Sequence, residues 1–384
     1  MVKKLLVEGW RGINHSYAMV NQFQLLELKK LQLDLYHNDI PFYRKNWNPT
    51  QNFCGFDAKA MQEIESIPCL EEESNADAIY RIGFPYNLTP TKSNELFVYG
   101  TSEYQTLTQD MVYFQNTSCA YKDLPLTIIT PSNWSKVGFI NAGFGEDQVT
   151  VISHGVDLSI FRPLGSELRN KYRELLGANG ESFVLLSVGA MTKNKGVDIL
   201  LAAYIELKKK YPQVRLVLKD QSNLYGFSAN DLVSIYCKER NIDPSSKDMV
   251  DAISGIVCVT ENLNLSQLNG LYNAADCYVS SYRAEGFNLP PLEAAAAGCP
   301  IVVTKGGSTD DYVDDLFAVR IESVKQSYAS QHFLEPLLES LISSLTQLIN
   351  HKAVVIDMKK ARVLIEKNYS WSVICQELIN RIEG

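Results

Sequence analysis

The sequence predicts an α/β protein built from two doubly wound domains. Three observations carry this expectation. Short apolar runs alternate with helical segments through most of the 384 residues. The alternation occurs twice, in two series of similar length. Between them, Pro163 and Gly165 interrupt the pattern near residues 157–166. Strands alternating with helices form parallel sheets whose faces are both covered. The expected domains are residues 1–162 and 163–355, followed by helices over 356–384.

The elements of the first series come in order. LLVEGW opens as a strand, and residues 16–30 follow as a helix, with Met19, Val20, Phe23, Leu26 and Leu28 largely on one side. QLDLYHN, DAIYRIGF, ELFVYGT, LTIITPS and VTVISHG continue as strands. In the second series the strands are FVLLSVGA, VRLVLKD, GIVCVT, CYVSSY, IVVT and FAVRI. GVDILLAAYIELKKKYP, SQLNGLYNAADC and PPLEAAAAG are the helices between them. The tail differs, because LEPLLESLISSLTQLIN and SWSVICQELINRIE are predicted helices with no strand between them.

Composition excludes several classes. Hydrophobic residues make up 46% and charged residues 21%, as in ordinary globular enzymes. A net charge of −8 argues against a nucleic-acid binder, which carries a basic stripe. It also weakens a case for an anionic membrane surface, although a local basic patch is compatible with it. The N-terminal stretch lacks the apolar core and cleavage site of a signal peptide, and no run is long enough to span a membrane. The eight cysteines form no C-x-x-C pair, and buried free thiols in a reducing cytosol are expected. The sequons at Asn87 and Asn133 then count as chance matches. His15, His37, His154, His332 and His351 show no metal-ligand spacing, so no metal is expected.

EGFNLPPLE, residues 285–293, carries the chemistry. CYVSSY precedes it as a strand. Pro290 and Pro291 open the next helix, and Gly298 stops it. EGFNL is therefore a loop at the carboxyl end of a parallel strand, where ligands bind in open α/β sheets. Backbone N–H groups at such a helix start attract anions. Gly286 permits close approach of a ligand. Glu293, placed in the first helical turn, is suited to a vicinal diol such as a ribose, and Glu285 to the hydroxyls of a second sugar. Against this stands a plainer reading, in which Glu293 only complements the helix dipole and Glu285 is a solvated loop residue. The strand–loop–helix setting favours the ligand-binding one.

The segment NGLYNAADCYVSSYRAEGFNLPPLEAAAAGCPIVVTKGGSTDDYV (269–313) closely resembles the nucleotide-sugar site of the retaining glycosyltransferases of family four, which have the GT-B fold. SVGAMTKNKGVDILLAAY (187–204) is similar to that family's phosphate-binding turn. VISHGVDLSIFRP (151–163) is similar to its interdomain signature, and YSW (369–371) to the start of its closing helix. The resemblance spans the second half and is weaker in the first.

It implies two Rossmann-like domains facing across a cleft, with a C-terminal helix crossing back to the first domain. The first domain would bind the acceptor and the second a nucleoside-diphosphate sugar. Glu293 would hold the ribose. Glu285 would contact the transferred sugar, with the amides of Gly286, Phe287, Asn288 and Leu289 around it. Lys195 would neutralise the leaving diphosphate, helped by the turn that holds Gly189, Thr192 and Lys193. The implied enzyme is a cytoplasmic hexosyltransferase, with peripheral membrane contact left open. It would need no cofactor or metal. Its acceptor would be a glycan, a lipid-linked molecule or a small molecule. A nucleotide-sugar epimerase, a sugar phosphorylase and a non-catalytic nucleotide-sugar-binding scaffold are the alternatives.

Three positions depart from the family pattern. Ala190 stands where Arg is common, Asn288 replaces a Gly, and His154 replaces an Asn. Lys219, at the end of VRLVL, is the expected second phosphate ligand in place of the absent Arg. In the first half, Gly9, Trp10, Arg11, Gly12 and His15 form the loop expected near acceptor and phosphate. Thr101, Ser102 and Glu103 end a strand and are further candidates. Residues 40–57 carry Phe42, Tyr43, Trp47, Phe53 and Phe56, and form either a capped surface excursion or a loop that shapes the acceptor site, the latter being the expectation to test.

Overall fold

A computed structural model describes residues 4–31, 33–91, 95–114, 119–350 and 356–384. His351 and the expected boundary at residue 355 lie outside them. The chain divides into two units. One comprises residues 1–157, 329–332 and 367–384, and the other residues 158–328 and 333–366. The first break therefore comes slightly before the expected 162, and after the short excursion of 329–332 the chain rejoins the first unit at Lys367, later than 356.

The first unit holds a parallel six-stranded sheet of β1 (Lys4–Gly9), β2 (Asp34–Asp39), β3 (Ala78–Ile82), β4 (Glu95–Tyr99), β5 (Thr127–Thr130) and β6 (Val149–Val151). Its spatial order is β2-β1-β3-β4-β5-β6. Leu5, Leu6 and Val7 are consecutive and all buried. Successive strand residues point to opposite faces, so both faces of this sheet are covered. Helix α1 (Ser16–Leu28) is capped by the His15 side chain, and α2 (Ala58–Glu65) by Asp57.

The second unit repeats the plan with β7 (Phe183–Val188), β8 (Val214–Lys219), β9 (Ile256–Val259), β10 (Cys277–Ser280), β11 (Ile301–Thr304) and β12 (Ala318–Ile321). These strands are parallel, in the order β9-β8-β7-β10-β11-β12. Val184, Leu185 and Leu186 are fully buried in sequence, again from covering on both faces. Leu185, Leu216, Val279 and Val302 pack with Leu200 and Tyr204 of α3 (Val197–Lys210) in one core. Helix α4 (Leu265–Ala274) starts at the Asn264 cap, and α5 (Leu289–Ala296) follows the EGFNL loop.

The tail differs from expectation. Leu334–Pro336 do not begin a helix; they end a strand, Gln331–Pro336, paired in a two-stranded sheet with Ser323–Tyr328. Pro336 disfavours helical geometry at the residue before it, and the helix begins at Leu338. A helix over Met358–Tyr369 lies within the helices expected over 356–384. The last helix, α6 (Trp371–Ile382), packs in the first unit against α1, with Trp371 stacked on Phe23 at 5.4 Å. The Val156 N–H donates to the Tyr369 carbonyl at 2.8 Å. A Cβ on Gly155 would lie 2.7 Å from Trp371, so the HGVD and YSW motifs need each other's shape.

Candidate functional site

Doubly wound sheets bind ligands where the strand order reverses, at the carboxyl edge. In the second unit that point lies between β7 and β10. The loops that follow these strands are 189–196 and 281–288, which contain the two motifs singled out above.

The backbone ties these loops together. The N–H groups of Arg283 and Ala284 donate to the Asn194 carbonyl at 2.6 and 3.2 Å. Ser281 Oγ donates to the Gly196 carbonyl at 2.7 Å. Gly196 is left-handed, and a Cβ there would overlap the Ser281 carbonyl oxygen, so no other residue fits. This clasp brings the Lys195 ammonium onto the buried Glu285 carboxylate as an ion pair.

Arg283 locks the clasp. Its guanidinium bonds Asp198 at 2.7 and 3.0 Å and Glu335 at 2.8 and 3.0 Å, and also donates to the Lys193 carbonyl at 2.9 Å. These carboxylates hold its pKa above the usual arginine value against the cost of burial. Sequence reasoning missed Arg283. It lies inside the quoted motif, but its two acidic partners are far away in sequence, where no spacing rule reaches them.

Asn288 takes the left-handed conformation, with φ 71°. Asn tolerates this region better than most residues with a Cβ, so it can stand where the family has Gly. Its amide donates to Ser280 Oγ at 2.9 Å, and its carbonyl accepts from the Tyr312 hydroxyl at 2.5 Å. Phe287 packs on Tyr312 at 4.8 Å. Gly286 is buried in the same loop, and Leu289 begins α5. Pro290 and Pro291 carry no N–H, so the amide donors at this helix start are those of residues 286–289.

Glu293 lies in the second turn of α5 and not the first as expected, because the helix already begins at Leu289. It is buried, and Tyr272 of α4 donates its hydroxyl to it at 2.7 Å. Burial raises the carboxyl to about 7, opposed by that hydrogen bond.

Lys219 ends β8 beside Val188, and its carbonyl accepts from the Gly189 N–H at 3.0 Å. It thus adjoins the position where the expected Arg is missing. Its ammonium is buried and donates to the Asp220 carbonyl. Burial lowers its pKa, opposed by Asp220 and Glu261. Lys193 and Thr192 are exposed, and the Thr192 hydroxyl donates to Asn194 Oδ1 at 2.6 Å.

In the first unit most of the acceptor candidates are held by other parts of the protein. Trp10 and Trp47 do not offer ring faces to a ligand; they are buried and pack edge-on at 5.7 Å. The Trp10 indole N–H donates to the Pro41 carbonyl at 2.9 Å. His15 caps α1, and burial, with Arg44 nearby, lowers its pKa to about 4. Ser102 is turned into a buried network, donating to the Thr106 carbonyl at 2.9 Å while its N–H donates to Ser135 Oγ at 2.7 Å. Thr101 bonds the Tyr17 hydroxyl at 2.9 Å, and the Glu103 carbonyl accepts from Trp134 at 2.7 Å. Gly9 accepts from the Ile40 N–H at 3.3 Å, and the Gly12 N–H donates to Gln22 at 2.9 Å. Arg11 forms a fork with Asp39 at 2.9 and 2.6 Å. Arg11 and Gly12, with Phe42 and Phe53, line a cavity of about 660 Å³.

Among the described residues, no group of three or more His, Cys, Asp or Glu is placed to hold a metal ion. No helix among them is long and apolar enough to cross a membrane.

Two doubly wound sheets, one with carboxylates, an ammonium and loop amides grouped at its switch point, define an α/β protein built to take a ligand at that edge. Residues 169–341 match the family described as Glycosyl transferases group 1. That match lies almost wholly within the second unit, and the chain as a whole has the GT-B fold. It is 26% identical over 272 residues to mannosylfructose-phosphate synthase of Agrobacterium fabrum, covering 70% of this chain and 55% of that protein. It is 31% identical over 179 residues to D-inositol 3-phosphate glycosyltransferase of an Arthrobacter species, covering 47% of this chain and 38% of that one. The chain therefore matches about half or less of these relatives' length. The crystal structure of Anabaena HepE in complex with UDP and glucose matches with a TM-score of 0.66 at 14% identity, covering 99% of both chains, which shows the shared fold.

Proposed function

We propose that this chain is a retaining, metal-independent glycosyltransferase that moves a hexosyl group from a nucleoside-diphosphate sugar to an acceptor hydroxyl. The observation that carries the reading is the Lys195–Glu285 pair, clasped at the switch point of the same unit that buries Glu293. Glu293 accepts from the two ribose hydroxyls. Glu285 accepts from hydroxyls of the sugar. The bond from the anomeric carbon to the diphosphate oxygen breaks, its electron pair leaving with the diphosphate, and a bond to the acceptor oxygen forms as that oxygen passes its proton to the departing diphosphate. Lys195, Lys219 and the amides of residues 286–289 meet the charge that builds on the departing diphosphate. The acceptor binds in the first unit. That HepE was crystallised with UDP and glucose supports a nucleotide-sugar donor. The test is a thermal-shift screen of nucleotide-sugars, since a ligand that binds the folded state raises its melting temperature. A rise with one nucleotide-sugar and its loss in Glu293→Ala support the reading. No rise with any of them overturns it.

A further inference from the structure

The cavity in the first unit lies beside the carboxyl ends of β1 and β2, the edge of a doubly wound sheet that takes ligands. Phe42, Phe53, Phe56 and Met61 supply much of its wall. Phe53 is 39% exposed and Phe42 and Phe56 are half-buried, so aromatic surface stands open to water. Covering such surface is favourable.

The charged groups at this cavity narrow what can cover it. Arg11, Asp39 and Glu65 are its charged lining residues, one cation against two carboxylates. The guanidinium is already committed. Nε and Nη2 grip Asp39 in a bidentate pair at 2.9 and 2.6 Å, and Nη1 donates to the Ile64 carbonyl at 3.1 Å. A phosphate entering here would have to displace Asp39 from Arg11 and then lie beside two carboxylates.

Resting on the transferase reading, we propose that this cavity takes the aryl or alkyl part of an uncharged, hydroxyl-bearing acceptor and disfavours a phosphate-bearing one. This sets the chain apart from the two curated relatives above, both of which carry a phosphate in their names. The flat faces of Phe42 and Phe53 supply contact area at little entropic cost. Asp39 acts as a specificity residue by occupying the Arg11 fork.

The experiment measures binding to the full chain by calorimetry without donor, using phenyl β-D-glucopyranoside and glucose 6-phosphate as probes. Wild type binds the phenyl glucoside about tenfold tighter or more, the scale of one well-covered ring. Phe53→Ser weakens it about fivefold, and Phe42→Ser similarly. Phe53 is exposed enough that its variant folds, which a melting curve checks. Asp39→Asn releases Arg11 and tightens glucose 6-phosphate. Equal or tighter binding of glucose 6-phosphate by wild type, no detectable phenyl glucoside binding, or unchanged affinity in both Phe variants overturns the proposal. A nucleotide-sugar melting shift on the same samples separates the two readings. Probe binding without that shift sinks the donor reading alone, and the shift without probe binding sinks the cavity alone.

Discussion

The ammonium of Lys195 rests on the carboxylate of Glu285, two side chains from separate loops of one sheet edge. Glu285 is buried and Lys195 only partly so, and breaking the pair leaves the buried carboxylate uncompensated. Glu285→Gln keeps the shape and removes the charge. Its turnover falls more than its donor affinity, because the sugar contact strengthens as the glycosidic bond breaks. Lys195→Ala loses about 10²–10³ in kcat, the scale for one preorganised charge-stabilising group. Steady-state kinetics beside calorimetric donor binding checks both. Wild-type kinetics in either variant removes that residue from the reaction.

With Glu293 holding the ribose as proposed, donor binding is expected to depend on pH. Burial raises its carboxyl to about 7 from an ordinary 4.5, so the folded chain keeps a proton that the unfolded chain has released. The stability this provides is full below the unfolded pKa and is lost as pH rises through about 7. The carboxylate that accepts from a ribose forms over the upper part of that range. UDP affinity therefore rises as pH passes 7, and Glu293→Gln flattens both profiles. Glu293→Ala weakens donor binding by about 1–3 kcal/mol. Titrations of UDP between pH 5.5 and 8.5 are the measurement, and a wild-type profile in the Gln variant would contradict the assignment.

On the proposed reading, Lys219 serves ahead of Lys193 as the second phosphate ligand. It is buried beside Val188 and Gly189, while Lys193 is exposed and contributes its carbonyl to Arg283. Lys219→Ala lowers turnover and nucleoside-diphosphate affinity tenfold or more, about 1.4 kcal/mol. Lys193→Ala changes both little. The reverse pattern would place both cations in the 193–195 turn.

Trp47 supports the first unit from within. Its burial against Trp10 predicts that Trp47→Ala costs about 3–5 kcal/mol of stability, with no selective rise in acceptor KM. Urea unfolding gives the first quantity. An unchanged midpoint with a raised acceptor KM would return Trp47 to the ligand.

Chelation leaves turnover intact. In the proposed reaction, Lys195, Lys219 and the loop amides supply the positive charge that the leaving diphosphate requires. Assays with and without EDTA check this, and activity lost to EDTA and restored by magnesium would refute it.

Much of the fold and the loops of the candidate site were legible in the order of residues. Period and punctuation are local properties, so the runs FVLLSVGA and CYVSSY predicted strands, and Pro290 and Gly298 bracketed a helix. The loop that holds Glu285 followed, because a parallel strand feeding a helix places its loop at the ligand edge. Hidden were the relationships between distant residues. Arg283 between Asp198 and Glu335, Asp39 in the fork of Arg11, and Trp47 against Trp10 are contacts of packing, which no spacing encodes. The strand over Gln331–Pro336 escaped for the same reason, since a strand needs a neighbour and a helix largely satisfies its own hydrogen bonds. The sequence by itself determined which residue types stand at the ends of which strands. Tertiary structure decided which charges are already neutralised and which rings are covered. Those states depend on burial and on partners brought together across the fold, and they separate a residue that holds a ligand from one that holds the protein.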